Sequence, residues 1–401
     1  MTSFRRAKRV VPLLAAAFIG ARQISVASAG NDQGLKSKRV VVVGGGYGGS
    51  EFAQRIKDKC QLTVIDPKEG LHHNMGALRA CVEPGFAKKT FIPYDKTFGE
   101  SFKRGEASSI NVQDKSVTIK SGNRYESVSY DYLVIATGSE GQFPCKVTNC
   151  VDNHEIISKY ESLKDQIHAS TKIVIVGGGA AGVELAGEIM TDLKGKEVYL
   201  IHPHEKLVSA MYEDSFTNSV RDQLKALGVK LVLGERVSNL RDLPTSATPS
   251  VVETDKGSKI DADLVVPCTG LKVNTSAYGI SLSNKMDSKG YLKVDNTLQV
   301  EGCDGVYAIG DCNNSHEAKL AHLAQTQAKY LAKTIETVDS GKSVTPYKPG
   351  GKMMALSIGR EGGALQNGTW VLGAFFARFI KSKDVFTKPT WSSMKQSPPQ
   401  N

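Results

Sequence analysis

Four consecutive valines, Val40 to Val43, follow the basic pair Lys38-Arg39. A strand with no polar face is buried on both sides, as in a parallel sheet covered by helices. The run ends in Gly44-Gly45-Gly46-Tyr47-Gly48-Gly49, and helical spacing continues through Phe52 and Ile56. Leu62 to Asp66 then reads as a second strand that closes on a carboxylate. Strand, glycine turn, helix and strand make one βαβ unit of about 30 residues.

The pattern restarts further on. Ile173 to Val176 predicts a buried strand, Gly177 to Gly182 a glycine turn, and Val198 to His202 the next strand. Between the two units, residues 71–93 read as loop-rich, and 109–138 as hairpin strands followed by the buried strand of "YDYLVIATG". The second unit is followed in the same order by "VKLVLGERV", "SVVETDKGSKI" and "ADLVVPCTG". The repeat is therefore longer than a single turn, which predicts two dinucleotide-binding halves. "VYAIGDC" adds a short strand running into Gly310-Asp311, and helical spacing follows from Leu320 to Ile335. The expected fold is α/β, with two Rossmann-like domains and a C-terminal segment. The expected boundaries are a leader at 1–37, a first domain at 38–150 completed by 272–340, a second domain at 151–271, and a tail at 341–401.

The 401 residues are 40% hydrophobic and 23% charged, as in a soluble globular chain with a sizeable core. The net charge of +10 suits anionic partners. No basic run has the length of a nucleic-acid arm, and the aromatics are not interleaved with basic residues, so nucleic acid is not favoured. Seven cysteines without a Cys-x-x-Cys indicate neither a disulfide framework nor a zinc site, and no metal is expected. Cys145 and Cys150 form a Cys-x4-Cys, but it falls after "ATGS" rather than on the helix of the first glycine turn. Free thiols in a reducing compartment are the plainer reading.

The leader carries Arg5, Arg6, Lys8 and Arg9, has no acid before Asp32, and continues into an apolar run from Val10 to Ala21. That run is too short to span a bilayer. Mitochondrial import, secretion and a membrane-surface anchor all fit it, with secretion disfavoured by the free cysteines. Thr2 excludes N-myristoylation from this start. Near the other end, "TWVLGAFFARFIKSKDVF" is apolar and aromatic with Arg378, Lys381 and Lys383 close by. It is also too short and too charged to span, and reads either as a bilayer-interface element or as a core or dimer surface.

The chemistry follows from the turns. Gly44 permits the tight turn, Gly46 lets the backbone approach a pyrophosphate, and Gly49 lets helix pack on strand. Free amides and the positive end of the helix then face the phosphates. Asp66 lies 17 residues after Gly49, where a carboxylate accepts from ribose hydroxyls. Gly177, Gly179 and Gly182 repeat these roles, but the second strand ends on His202, 20 residues after Gly182. No carboxylate there selects a free 2′-hydroxyl, and His202, His204 and Lys206 would not repel a 2′-phosphate, so both NADH and NADPH fit; His202 also reads as an ordinary surface histidine. Asp311, at a strand end beside a helix start, suits the polar chain of a flavin, though a plain helix cap explains it equally well alone. Two cradles and a Gly-Asp turn together predict a resident FAD and a visiting nicotinamide nucleotide.

These residues resemble the two-dinucleotide-binding-domain flavoproteins, which include type II NADH dehydrogenases, apoptosis-inducing factors and pyridine nucleotide–disulfide reductases. The stretches "HHNMGALRACVEPGFAKKTFI", "GERVSNLRDLP", "LVVPCTGLKVNTSAY" and the tail "KSKDVF…TWSSMKQSPP" narrow the resemblance to the ferroptosis suppressor branch, over roughly residues 38–398. The resemblance implies an FAD-dependent NAD(P)H:quinone oxidoreductase, with FAD or its 6-hydroxy form. It would reduce coenzyme Q, and quinones such as vitamin K, to radical-trapping hydroquinones at a membrane. It places cofactor contacts at Gly44, Gly45, Gly46, Tyr47, Gly48, Gly49, Asp66, Arg79, Ala107, Gly138 and Asp311. It places Lys88 and Lys89 at the active-site region and Glu184 near the nicotinamide, where a helix-surface carboxylate is the alternative. It implies peripheral association with the cytoplasmic face of a membrane or with lipid droplets, and it leaves a homodimer open. An apoptosis-inducing-factor-like partner protein, whose flavin regulates binding, is the competing reading. Vertebrate members begin Met-Gly; this chain does not, so its delivery to membranes must differ.

Overall fold

The computed structural model describes residues 33–148 and 151–400. Most of the leader and Cys150 lie outside them, so the readings of the leader and of the Cys-x4-Cys fall outside the described residues.

The first half begins with β1 (Arg39–Val43), α1 (Tyr47–Ile56), β2 (Gln61–Asp66), α2 (Asn74–Ala80) and β3 (Phe102–Arg104). An antiparallel meander, β4 (Glu106–Asn111), β5 (Ser116–Ser121) and β6 (Arg124–Ser129), leads into β7 (Tyr132–Ile135). After α3 (Asn153–Ala169), the second half runs β8 (Lys172–Val176), α4 (Ala180–Asp192), β9 (Glu197–His202), α5 (Asp214–Ala226), β10 (Lys230–Leu233) and β11 (Leu264–Pro267). The chain then returns to the first sheet with β12 (Val306–Ala308) and α6 (Ala321–Asp339). It ends in an antiparallel sheet of β13 (Met353–Ile358), β14 (Gly362–Asn367) and β15 (Trp370–Leu372), followed by α7 (Ala374–Ala377), a wide π-turn at Arg378–Ser382, and α8 (Thr387–Ser393).

The first sheet has the order β12-β7-β1-β2-β3 and the second β10-β9-β8-β11, and every pairing in both is parallel. The valine run explains the first. Val40 and Val42 face Phe52 and Ile56 of α1 and Leu331 and Ile335 of α6. Val41 and Val43 face the other way, onto Ile110 and Ile119 of the meander. A side-chain period of two thus buries both faces, each valine contributing about 1.5–3 kcal/mol relative to exposure. In the second half Ile173 and Ile175 pack with Val183 and Leu224, while Val174 and Val176 pack with Val252 and Val265. Two antiparallel connecting strands, Ser139–Gly141 and Leu271–Val273, tie the halves together.

One reading needs correction. Residues 71–93 are not mainly loop: α2, a 3₁₀ turn at Phe86–Thr90 and the paired strands Gly70–His72 and Phe91–Pro93 fill them. These elements are too short to show a period. The tail is partly core: Met354, Leu356 and Ile358 join the second half's hydrophobic cluster. A side chain on Gly187 of α4 would meet Ile358 Cα at 2.8 Å, so α4 lies directly on β13.

Candidate functional site

The two glycine turns are near copies. Gly44 and Gly177 take φ of +103° and +118°, a region that L side chains avoid. A Cβ on Gly49 would sit 1.9 Å from Gly44 O, and one on Gly182 would sit 1.8 Å from Gly177 O, so each helix starts hard against its own turn. Gly46 and Gly179 are the N-cap residues of α1 and α4, both with extended backbone. A Cβ at either would meet nothing within 4 Å. The backbone is open at the one point in each turn where a pyrophosphate must approach, and the first-turn amides of each helix are free to bond it.

The next strand closes each turn. Asp66 is nearly buried, and its Oδ2 accepts from Gly45 N at 2.7 Å while Oδ1 accepts from Lys68 N at 2.8 Å. Burial raises its pKa, against the opposing pull of Lys68 and the two amides. His202 sits at the equivalent place, with Nδ1 accepting from Gly178 N at 3.0 Å. That bond assigns the proton to Nε2. Desolvation, with help from His204, lowers the His202 pKa below its ordinary value of 6.5. The Lys206 ammonium is already paired with Asp214.

Other predicted groups converge beside the first cradle. Asp311 lies in the 3₁₀ turn Gly310–Cys312 and accepts from Ser139 Oγ at 2.6 Å, which brings it to Gly138. No α-helix begins at Asp311, contrary to expectation: α6 starts ten positions later, at Ala321. Its first turn still reaches the site, because side chains on Gly48 and Gly310 would touch Ala324 Cβ at 3.5 and 3.4 Å. Tyr47 donates to His73 Nδ1 at 2.9 Å, and His73 Nε2–H donates to Val385 O at 2.9 Å. His73 is fully buried, and desolvation lowers its pKa to about 4.

Glu184 is the fifth residue of α4, on its second turn, and is buried. Its Oε1 accepts from Lys381 Nζ at 2.6 Å and from Ser357 N and Oγ, each at 3.2 Å. Lys381 is also buried and donates to Ala355 O at 3.0 Å. A carboxylate and an ammonium are therefore held without water just beyond the second cradle. Removing one member of such a pair costs about 3–5 kcal/mol, because a lone charge stays buried.

The family model for pyridine nucleotide-disulphide oxidoreductases matches residues 38–328. The chain belongs to that family. Ferroptosis suppressor protein 1 of Taeniopygia guttata is 40% identical over 366 residues, 90% of this chain and 97% of the relative. Apoptosis-inducing factor homolog B of Dictyostelium discoideum is 34% identical over 372 residues, 88% of this chain and 95% of the relative. Among solved structures, NDH2 from Plasmodium falciparum in complex with NADH has a TM-score of 0.68 at 14% identity, covering 89% of this chain and 99% of that one. The chain is accordingly an NAD(P)H-dependent flavin oxidoreductase of the ferroptosis suppressor branch.

As a pyridine nucleotide-disulphide oxidoreductase, it departs from the family's name in its thiols. No cysteine lies on α1. Cys145 instead hydrogen-bonds Cys268, a contact that holds its thiol below the ordinary value while Cys268 is pushed well up. Other predicted residues have protein contacts of their own. The Arg79 guanidinium does not face the first cradle. It is spent on Glu188 of α4, at 2.8 Å, and on the carbonyls of Ser382 and Lys383, so it ties α2 to α4 and the tail. Lys88 is exposed, and Lys89 Nζ lies over the Phe86 ring at 5.5 Å. Ala107 turns its side chain into the meander core, which leaves only its backbone to meet a cofactor. The residues that sequence reasoning missed, Lys381, Ser357 and His73, reach the site from distant segments. Lys381 stood out only as a basic neighbour of an apolar run.

Proposed function

We propose that this chain is an FAD-dependent NAD(P)H:quinone oxidoreductase that reduces coenzyme Q and related quinones to hydroquinones at a membrane surface. The observation that carries the reading is the pair of matching cradles with the buried Glu184–Lys381 pair beyond the second and no dithiol on α1. FAD fits the first half. The turn is open at Gly46, the Gly45–Gly49 backbone would hold the pyrophosphate, Asp66 the adenosine ribose, and Asp311 with Ser139 and Gly138 the far end. NADH or NADPH fits the second half at Gly177 to Gly182, with His202 at its ribose. When bound, the flavin supplies the two-electron relay from nicotinamide to quinone.

The chain's own residues position the reactants and manage protons. Ser357 fixes the Glu184 carboxylate, and burial keeps water from it. Reducing a quinone to a hydroquinone consumes two protons, and buried Lys381 Nζ, bonded to Glu184 Oε1, is a proton carrier set against α4. Neutral His73, locked between Tyr47 and Val385 O, holds the π-turn that carries Lys381 against α1. We assign residues 38–150 and 272–340 to the FAD-binding domain, 151–271 to the nucleotide domain and 341–401 to the segment that completes the site.

Steady-state NADH oxidation by the yellow protein, with and without a water-soluble quinone, tests the reading. Quinone should raise the rate at least tenfold. An unchanged rate would overturn it and favour a redox-sensing partner protein. The absorbance spectrum of the released cofactor distinguishes FAD from its 6-hydroxy form.

A further inference from the structure

Three of the six cysteines among the described residues gather in one place from three separate elements. Cys81 and Cys268 belong to the second half's hydrophobic cluster, and Cys145 packs against it. Each of the three thiols lies within electrostatic reach of the other two. Thiols bury readily as small hydrophobes, so the grouping alone says little. The placement says more. Cys145 follows the connecting strand Ser139–Gly141, on the chain entering the second half, and Cys268 follows β11, on the chain leaving it through Leu271–Val273. The two connecting strands pair at Gly141 and Leu271, and a side chain on Gly141 would meet Gly270 O at 3.3 Å and Lys146 Cγ at 3.6 Å. The entering and leaving chains thus run side by side at the neck of the second half, with β8 to β11 between them in sequence. There Cys145 and Cys268 hydrogen-bond each other. Cys81 is engaged elsewhere, its Sγ donating to Ala77 O at 3.3 Å in its own helix. The two partners are unlike. Cys145 is half-buried and Cys268 buried. The Cys268 thiol donates to the Cys145 sulfur and, with Lys146 adding to it, holds Cys145 below the ordinary thiol value despite burial, while Cys268 is pushed well up. A reachable sulfur with thiolate character beside a buried thiol is the arrangement of an attacking and a resolving cysteine.

We propose that Cys145 and Cys268 form a dithiol switch, which a hydroperoxide closes to a disulfide across this neck and which then loosens the second cradle's hold on its nucleotide. The Cys145 thiolate attacks the terminal oxygen of the hydroperoxide. The O–O bond breaks, Cys145 becomes a sulfenic acid, and the departing oxygen takes up one proton to leave as an alcohol. The Cys268 sulfur then displaces the sulfenic hydroxyl. The S–S bond forms, and the hydroxyl leaves as water with the Cys268 proton. In sum two thiols lose two electrons, and one hydroperoxide becomes one alcohol and one water. A dithiol reductant reverses the closure by exchange. The bond bears on the cradle through the backbone. Cys268 N donates to Val176 O at 2.7 Å, and a side chain on Gly177 would sit 2.2 Å from Cys268 O, so Cys268 braces the glycine that opens the turn. A disulfide holds its sulfurs at about 2.0 Å with a dihedral near about 90°, so closure draws that brace toward Cys145. The first cradle lies on the other side of the neck and should keep its flavin. The inference rests on the proposed function only in placing the nucleotide at the second cradle, not in the choice of quinone as acceptor.

The full-length flavin-loaded protein, reduced and then freed of reductant, is treated with an equimolar amount of hydrogen peroxide or cumene hydroperoxide. Denatured afterwards, it should have lost two of its seven thiols, and peptide mapping without reductant should join Cys145 to Cys268. The dissociation constant for NADH, read from stopped-flow reduction of the flavin, should rise about tenfold, and dithiothreitol should restore both readings. Cys145→Ser should bind NADH within about twofold of the parent and ignore the peroxide. Cys268→Ala should stop at a sulfenic acid that dimedone traps on Cys145; the parent's mapping and Cys145→Ser decide the matter if this variant does not fold. A link from Cys145 to Cys81 or Cys150 would overturn the pairing. So would an unchanged thiol count, or a sulfinic Cys145 beside a free Cys268. The Cys145–Cys268 link with unchanged NADH affinity would overturn its action on the cradle. Absence of quinone turnover in the reduced parent would instead sink the functional reading and leave the thiol mapping standing, so the two failures are distinguishable.

Discussion

In both glycine turns the second residue donates its amide to the side chain that ends the next strand, Gly45 to Asp66 and Gly178 to His202. The backbone is the same; the acceptor differs. Asp66 is nearly buried and offers a charged group with two oxygens, each already holding an amide. His202 is half-buried and neutral, and presents a single Nε2–H outward. On the proposed assignment, the first turn would keep its ligand and the second would exchange it. The difference lies in a single side chain and its exposure, not in the phosphate cradle.

Four experiments would break or sharpen that comparison. The largest effect is expected from Gly46→Val and Gly179→Val, because the added side chain has free space in the protein and none beside a pyrophosphate. Both variants should fold. The first should come off the column colourless. The second should keep its flavin and lose affinity for NADH by about 100-fold or more, near 3 kcal/mol, in a stopped-flow titration. Identical losses of flavin in both would erase the distinction. Next comes the ion pair. Lys381→Met should lower stability by about 3 kcal/mol and slow flavin reoxidation by quinone by about 100-fold, and Lys381→Met/Glu184→Gln should recover much of the stability but not the rate. Denaturant titration and single-turnover kinetics separate the two quantities.

A smaller change is expected at the first strand end. Asp66→Asn keeps an acceptor for Gly45 N but removes the charge, and should weaken FAD binding by about tenfold in a cofactor-release titration. The smallest effect should be the most specific. His202→Asp should raise the NADH over NADPH preference in kcat/KM by about tenfold without changing kcat. Acid should do the reverse in the parent. The lowered His202 pKa means the neutral form, and its bond to Gly178 N, is retained above about pH 6.5 and given up as pH falls through the lowered value. Protonated His202, beside His204 and Arg236, then favours a 2′-phosphate, so the NADPH/NADH ratio should climb as pH falls below about 6.5. A flat ratio would show that His202 does not face the ribose.

Both cradles could be read from sequence because they are local. Four glycine and strand positions within a few residues determine the turn, and Val40 to Val43 or Ile173 to Val176 announce the sheet behind it. Asp66 and His202 were equally readable, since the strand after the helix has a short, fixed length. The partner of Glu184 was not. Lys381 lies 197 positions away, and only the packing of β13 on α4 aligns it. The protein partners of Arg79 were hidden for a related reason. Its stretch pointed to a cofactor, while the three-dimensional fold offers its guanidinium a carboxylate on α4 and two carbonyls in the tail, and a buried guanidinium goes where its donors are satisfied. The helix at Asn74–Ala80 was too short for any period to show.

The π-turn at Arg378–Ser382 has a genetic consequence. Lys383 N bonds Arg378 O, five positions back, where an ordinary helix reaches back four. The segment thus carries one residue more per turn than regular winding requires. Without it, every later side chain would rotate by about 100° around the axis, swinging the lysine outward and an aromatic inward. Loss of a single codon here would turn the later side chains of the element by about a quarter of a circle at once, a larger change than most substitutions in the region could make.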